Sequence, residues 1–347
     1  RMLAAIARRD VPWSLAESVH RSTEGNPLFV QEVMRHLAEE GLLGRDGSGA
    51  RALTDSQLAA SIPEGLRDVI GRRLSRLSAE CNRVLAIAAV IGREFRLDTL
   101  CAIATVSEDA VISALEEAVR VAVLVEEARG SLVRYRFAHA FFRQTLYEES
   151  IAPRRIRIHQ QVARALESQY AARLDEHAAE LADHFSYSSD PADLAKAVRY
   201  GELAASRASA VSAYTEAVHH LERALQVQEV LDPDDRAKRC DLLLALGGLL
   251  LPAGEPQRTV DTIGPEAFAL AEALGDSGRA AGSAHLVCMT LGAMSAGLQF
   301  GTAQARVWLE RAERYSAPRS VDRVWVDLWS GVRLGYDGAV AEAQERT

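Results

Sequence analysis

The chain has 347 residues, room for about two or three domains, and a net charge of −8 that offers no global basic surface for nucleic acid. All but two of its forty basic residues are arginine, and neither Lys196 nor Lys238 ends a G-x-x-x-x-G-K-[ST] stretch. That excludes a Walker A phosphate loop, so the chain is not expected to hydrolyse ATP by itself.

The first forty-three residues read as three helices, "RMLAAIARRD", "PWSLAESVHRST" and "PLFVQEVMRHLAEEG". The third starts on Gly25-Asn26-Pro27. Asn26 is a good N-cap, Pro27 at N1 loses no needed N–H, and Gly25 allows a tight approach of the chain. Val30 and Met34 adjoin Phe29, Val33 and Leu37 on an apolar face at helical spacing. Gly41 closes the helix, and "GRDGSGARALTD" (44–55) is a polar linker.

"PEGLRDVIGRRLSRLS" and "AECNRVLAIAAVIG" follow as helices, the second almost wholly apolar and therefore buried. "REFRLDTLCAIAT" contains a short extended piece and another helix. Ser107 caps "SEDAVISALEEAVR", whose Glu108 and Asp109 suit its first turn. "VAVLVEEARGSLVRYRFAH" is a β-hairpin turning at "ARGS". Three helices followed by a hairpin outline a winged helix. Residues 139 to 187 return to helix. From about 191, "DLAKAVRYGELAASRASAVS" and "AYTEAVHHLERALQVQEVLDP" form a helical hairpin with Ala204, Ala205 and Ala208 at a close contact and Ala217 and Ala224 on one face. Later segments echo it at irregular spacing, as degenerate helix-pair repeats do. The expected fold is mainly α: a helical segment over 1–55, a winged helix over 56–138, linking helices over 139–190 and repeats over 191–347.

Chemistry-bearing motifs are sparse. His177 and His184 lie two turns apart in "HAAELADH" without further metal ligands, so a solvated or packed pair is expected and no metal site. His219 and His220 read as surface residues. Cys81, Cys101, Cys240 and Cys288 have no C-x-x-C spacing and read as small buried hydrophobes of a reducing cytoplasm. Ala280 to Ala305 lacks charge but is too rich in Gly, Ala, Ser and Gln for a membrane span. Direct DNA binding is not expected, because "SEDAVISALEEAVR" carries four acids against Arg120 and the basic cluster Arg154, Arg155, Arg157 lies on another helix.

In order along the chain, "TEGNPLFVQEVMRHLAEEG", "IPEGLRDVIGRRLSRLS", "AAVIGREF", "YRFAHAFFRQTLYEE", "RRIRIHQQVARALE" and "HAAELADHF" resemble the STAND class of signal-transduction ATPases. More narrowly, they resemble bacterial multidomain regulators in which an AAA-like ATPase precedes tetratricopeptide repeats. The resemblance covers roughly residues 10 to 230. It implies that the chain is a piece of a longer protein, that residues 1–55 are the helical lid of an upstream P-loop core, and that ATP or ADP is bound only with that core. It also implies repeats that take a protein or small-molecule ligand and an output domain elsewhere, such as a nucleotide cyclase, a LuxR-type DNA-binding domain or a protein kinase.

The resemblance puts Pro27 of Gly25-Asn26-Pro27 against the adenine, beside its plain role at a helix start. It puts His139 at the β-phosphate of ADP, although Ala138-His139-Ala140 departs from the Met-His-Asp form of animal and plant members; packing under the wing is the other reading. Arg143, one turn on, would serve the same anion. Two readings with other consequences stay open: an interaction scaffold of winged helix and repeats without a nucleotide role, and a DNA-binding regulator.

Overall fold

The computed structural model describes residues 70–129, 132–294 and 302–336, together with Glu17, His20, Pro27, Val30 and Met34. Gly25, Asn26, Gly41 and the 44–55 linker lie outside the described residues. The chain divides into two compact units, Arg1–Gln169 and Tyr170–Thr347. The division falls inside the stretch expected to hold linking helices. Among the described residues the protein is mainly helical, with one small sheet.

Helix α1 (Ala79–Ile91) buries Cys81, Val84, Leu85, Ala88, Ala89, Val90 and Ile91, which lie on more than one face. A helix apolar on several sides needs neighbours on several sides. Here they are α3 (Glu108–Arg120), α4 (Ala140–Glu149) and α5 (Ala152–Gln169). Ser78 caps α1, its hydroxyl accepting from the Cys81 N–H at 3.1 Å. Glu117 on α3 completes the cap by accepting the Ser78 backbone N–H at 2.7 Å and its hydroxyl at 2.8 Å. A capping box normally draws this carboxylate from the helix's own first turn; here it arrives from another helix. Ser107 caps α3 as expected, accepting from the Ala110 N–H at 3.3 Å.

The sheet holds one strand more than the expected hairpin. β2 (Leu124–Arg129) and β3 (Leu132–Phe137) pair antiparallel, and β1 (Glu94–Arg96) adds to the other edge of β3, giving the order β1-β3-β2. Phe95 faces Tyr135 across the strands with ring centroids 6.0 Å apart, and Phe137 lies at the same distance. These three rings are buried, while Arg134 and Arg136 alternate to the other face. β1 is the short extended piece expected in "REFRLDTLCAIAT"; its pairing with β3, through which Phe95 joins this aromatic cluster, is a contact between distant parts of the chain. Between β1 and α3, α2 (Leu97–Ile103) packs on α5, and the Thr99 hydroxyl donates to Gln169 at 2.9 Å.

The second unit begins with a 3₁₀ turn, Leu174–His177, and α6 (Ala178–Ser186). His177 belongs to the turn rather than to the helix of His184 and stacks on Tyr170 at 3.5 Å, while His184 is buried. The two histidines therefore do not share one helix face. α7 (Pro191–Ala210), capped by Asp190, and α8 (Tyr214–Leu231) are joined by three residues, which makes them antiparallel neighbours. α9 (Arg236–Leu250), α10 (Gly264–Leu274), α11 (Ser277–Met294), α12 (Ala303–Tyr315) and α13 (Val321–Tyr336) follow, each packed on the next. Ala204, Ala205, Ala208, Ala217 and Ala224 are buried, as their spacing implied. No helix among the described residues is long and apolar enough to cross a membrane.

Close helix contacts in this unit rest on small residues. A single turn of π-helix, Thr259–Ile263, leads into α10, and a Cβ at Gly264 would lie 2.2 Å from Val287 Cγ2 and 2.8 Å from the Thr259 carbonyl. Gly248, on the exposed side of α9, has nothing within 4 Å of such a Cβ. The two glycines respond oppositely to the same change. Gly264→Ala should destabilise the fold by about 1–3 kcal/mol through overpacking. Gly248→Ala should stabilise it by up to about 1 kcal/mol through helix propensity. Chemical denaturation of both variants checks the pair, and equal effects of the same sign would contradict this packing.

Candidate functional site

β3 leads straight into the residue that the sequence singled out. The Phe137 N–H donates to the Arg93 carbonyl at 3.0 Å and the Ala138 N–H to the Val123 carbonyl at 2.9 Å. These bonds fix the chain at the sheet edge. His139 then stands in extended backbone, φ −143° and ψ 147°, as the N-cap of α4. Its carbonyl accepts the Phe142 N–H at 3.1 Å, but its side chain makes no capping bond. The imidazole is half-buried and leans on Phe142, with centroids 6.2 Å apart. No acidic residue lies in the first turn of α4. α1, α3, α7, α9 and α12 are instead capped by side chains of Ser, Asp or Thr.

Two guanidinium groups belong to the same neighbourhood. Arg143 reaches α1, its Nε donating to the Ala89 carbonyl at 2.9 Å. Ala89 is in the last turn of α1, where carbonyls lack helical partners and the dipole favours a cation. Arg73 lies over the Phe142 ring at 5.8 Å. His139 and Arg143 thus come together on one turn of α4. Pro27 belongs to a separate helical segment of the same unit, where it is exposed, while Val30 and Met34, further along the same helix, are buried. The geometry gives Arg143 a packing role that the sequence could not reveal, because its acceptor is a backbone carbonyl 54 residues away.

Other polar groups are placed by packing. The Tyr147 hydroxyl and His159 Nε2 are 3.1 Å apart, with His159 buried. Arg155 donates to the Ser150 carbonyl and lies over the Tyr147 ring at 5.2 Å, so this member of the basic cluster is spent on the α4–α5 joint. Glu117, one of the four acids of α3, is spent on Ser78. Among the described residues no group of three or more His, Cys, Asp or Glu side chains could hold a metal ion. A groove in the second unit is lined by His219 and His220 together with Arg223 and Asp183; His219 is exposed, as expected of a surface residue, whereas His220 is half-buried. The signal that could have found it is the clustering of His219, His220 and Arg223 on one helix beside the small residues Gly201 and Ala224.

Comparisons with known proteins add little to this geometry. A domain of unknown function, DUF8739, matches residues 4–44. No curated protein matches the sequence. Among solved structures, the chain is similar to a Signal Transduction ATPase with Numerous Domains (STAND) protein with a tetratricopeptide repeat sensor from Pyrococcus horikoshii. The identity is 10% and the TM-score 0.28, covering 96% of this chain and 52% of that one. The chain therefore spans about half the length of that protein.

The four thiols are free, and they are not equivalent. Burial pushes the Cys81 thiol up to about 12, with Glu117 adding to it, and burial alone does the same for Cys288. Cys240 rises to about 11, by burial first and then through Asp241. Cys101, expected to be buried, is half-exposed at the foot of α2, and burial raises its thiol less, with Glu108 and Asp98 adding. Thiolate is the reactive form. At pH 8, alkylation of the native chain should modify Cys101 first and leave Cys81, Cys240 and Cys288 for the denatured state. Mass spectrometry of the labelled peptides reads this, and equal rates at Cys101 and Cys288 would contradict it. The linkage has a definite sign. A thiol raised on folding holds its proton more tightly in the native state, so its contribution is intact below the unfolded value of 9.0 and is lost as pH climbs from there toward about 12.

Proposed function

We propose that this chain is the regulatory part of a multidomain signal-transduction ATPase of the STAND type. In this reading the N-terminal helices are a lid over nucleotide held by an upstream P-loop domain. The α1-β1-α2-α3-β2-β3 segment is a winged helix, and α7 to α13 are TPR-like pairs that bind a partner. The observation that carries the reading is the position of His139. It follows directly on the last strand, caps α4 without a side-chain capping bond, and has the Arg143 and Arg73 guanidinium groups nearby with no acid in that first turn. A helix N-terminus of this kind favours an anion such as the β-phosphate of ADP. Pro27, helical and exposed, offers an apolar ring to an adenine.

Hydrolysis falls to the upstream domain, since this chain has no P-loop lysine. Partner binding on the helix pairs would bias an ADP-closed against an ATP-open arrangement, and that bias is the coupling between sites. An output domain, of cyclase, transcription or kinase type, would report it. A second reading, a scaffold with no nucleotide role, is favoured by one feature. α13 exposes Val321, Val324, Trp325, Leu328 and Val332 along one stripe, and apolar stripes of this kind mark protein contacts.

His139→Ala in the complete polypeptide separates the two. The switch reading expects ADP to be lost at least about tenfold faster, the worth of one charge-assisted hydrogen bond, and basal output to rise. ADP retention and output equal to those of the parent would remove the nucleotide role and leave the scaffold.

A further inference from the structure

In the second unit α6, α7 and α8 surround a cavity of about 200 Å³. Ala197 and Gly201 of α7 with Ala224 and Val227 of α8 form its inner wall, and all four are buried. The wall is tight: a Cβ at Gly201 would stand 3.1 Å from the Ala224 Cβ. The polar lining is more exposed and lies toward solvent, with Asp183 on α6 and His219, His220 and Arg223 on α8. Arg223 Nη2 spans the opening, 2.7 Å from the Asp183 carboxylate and 2.9 Å from the Ser186 hydroxyl to which it donates. Both bonds use that one nitrogen.

The geometry points to a binding site for a short-chain monocarboxylate. Two independent features select this class. The inner wall offers only methyl, methine and Cα surface, which suits a small alkyl group. The volume is comparable to the roughly 150 Å³ apolar cavity that accepts benzene, so a chain of a few carbons fits and a nucleotide does not. The rim, in turn, offers hydrogen-bond donors. The Arg223 fork matches a carboxylate, and the His219 imidazole carries at least one N–H in either protonation state, while His220 Nε2 lies 3.6 Å from Glu216. A cation would meet the guanidinium, and Asp183, the one acid of the lining, is already neutralised by it. The bound carboxylate shares Arg223 with Asp183, so occupancy competes with the bridge between α6 and α8. This narrows the sensor reading of the helix pairs to a ligand class. It rests on that reading for its biological use, while the binding itself does not.

Titration of the full chain with sodium butyrate, followed by ligand-observed NMR and by calorimetry, tests it. Saturable binding with a millimolar or lower Kd is expected, with butyramide at least about tenfold weaker because it lacks the charge. Arg223→Gln should weaken butyrate by a similar factor, and Ala182→Leu, which fills the cavity wall, should abolish binding with the helical circular dichroism retained. No saturable binding of butyrate to the parent chain, or equal affinity for butyrate and butyramide, overturns the proposal even where a variant fails to fold. Either result leaves the ADP retention of the His139→Ala protein unaffected, so the two proposals fail separately.

Discussion

Helix α1 is apolar on more sides than any single neighbour can cover, and the described part of the first unit is organised by that fact. α3, α4 and α5 each take a share of its surface. At roughly 25 cal/mol per Å² of apolar surface, fully burying each of the larger side chains contributes about 1.5–3 kcal/mol, so Val84, Leu85 and Ile91 together outweigh any surface ion pair in the unit. The ends of the helix are held differently. Glu117 and Ser78 satisfy its N-terminus, and Arg143 satisfies a carbonyl at its C-terminus. Because Arg143 is on α4, the bond that closes α1 also fixes the first turn of α4, and with it His139. Site and core are therefore one construction.

The second unit solves a different problem. Its helices are joined in series, each packed on the next, and α11 also meets α9 and α13. Register is set by glycine and alanine at the crossings, as at Gly201–Ala224 and Gly264–Val287, and by ion pairs between different segments, Lys238–Glu202, Arg239–Glu266, Arg258–Glu222 and Arg279–Asp241. These pairs are partly exposed, and each is worth at most about 1 kcal/mol. They choose among alignments that the small residues permit. A stack of this kind leaves grooves between alternate helices, which is how α6 and α8 come to face each other across α7.

Signals whose physics is local are legible in the sequence. Ser107 caps α3 because its acceptor serves an N–H three residues on, and the hairpin follows from β-branched runs on either side of a turn. The burial of Ala204, Ala205 and Ala208 follows from helical spacing alone. What escaped is non-local or short. The extended piece at β1 was expected, but not its pairing with β3, in which Phe95 meets rings more than thirty residues away. The Glu117 cap crosses 39 residues, and the Arg143 bond crosses 54. Cys101 looked like its three siblings because composition carries no depth. The place of His139 between the hairpin and a helix follows from the sequence pattern, whereas the engagement of Arg143 with Ala89 and the cavity beneath His219 and His220 depend on how helices meet.

The central claim of the proposal is that the first turn of α4 and the exposed Pro27 face a nucleotide carried by an upstream domain. Hydrogen–deuterium exchange on the complete polypeptide, with and without ADP, addresses it most directly. The account requires ADP to protect amides at 139–143 and around Pro27, in addition to those of the nucleotide-binding core. Protection confined to the core, with both of these segments exchanging as they do without nucleotide, would contradict it.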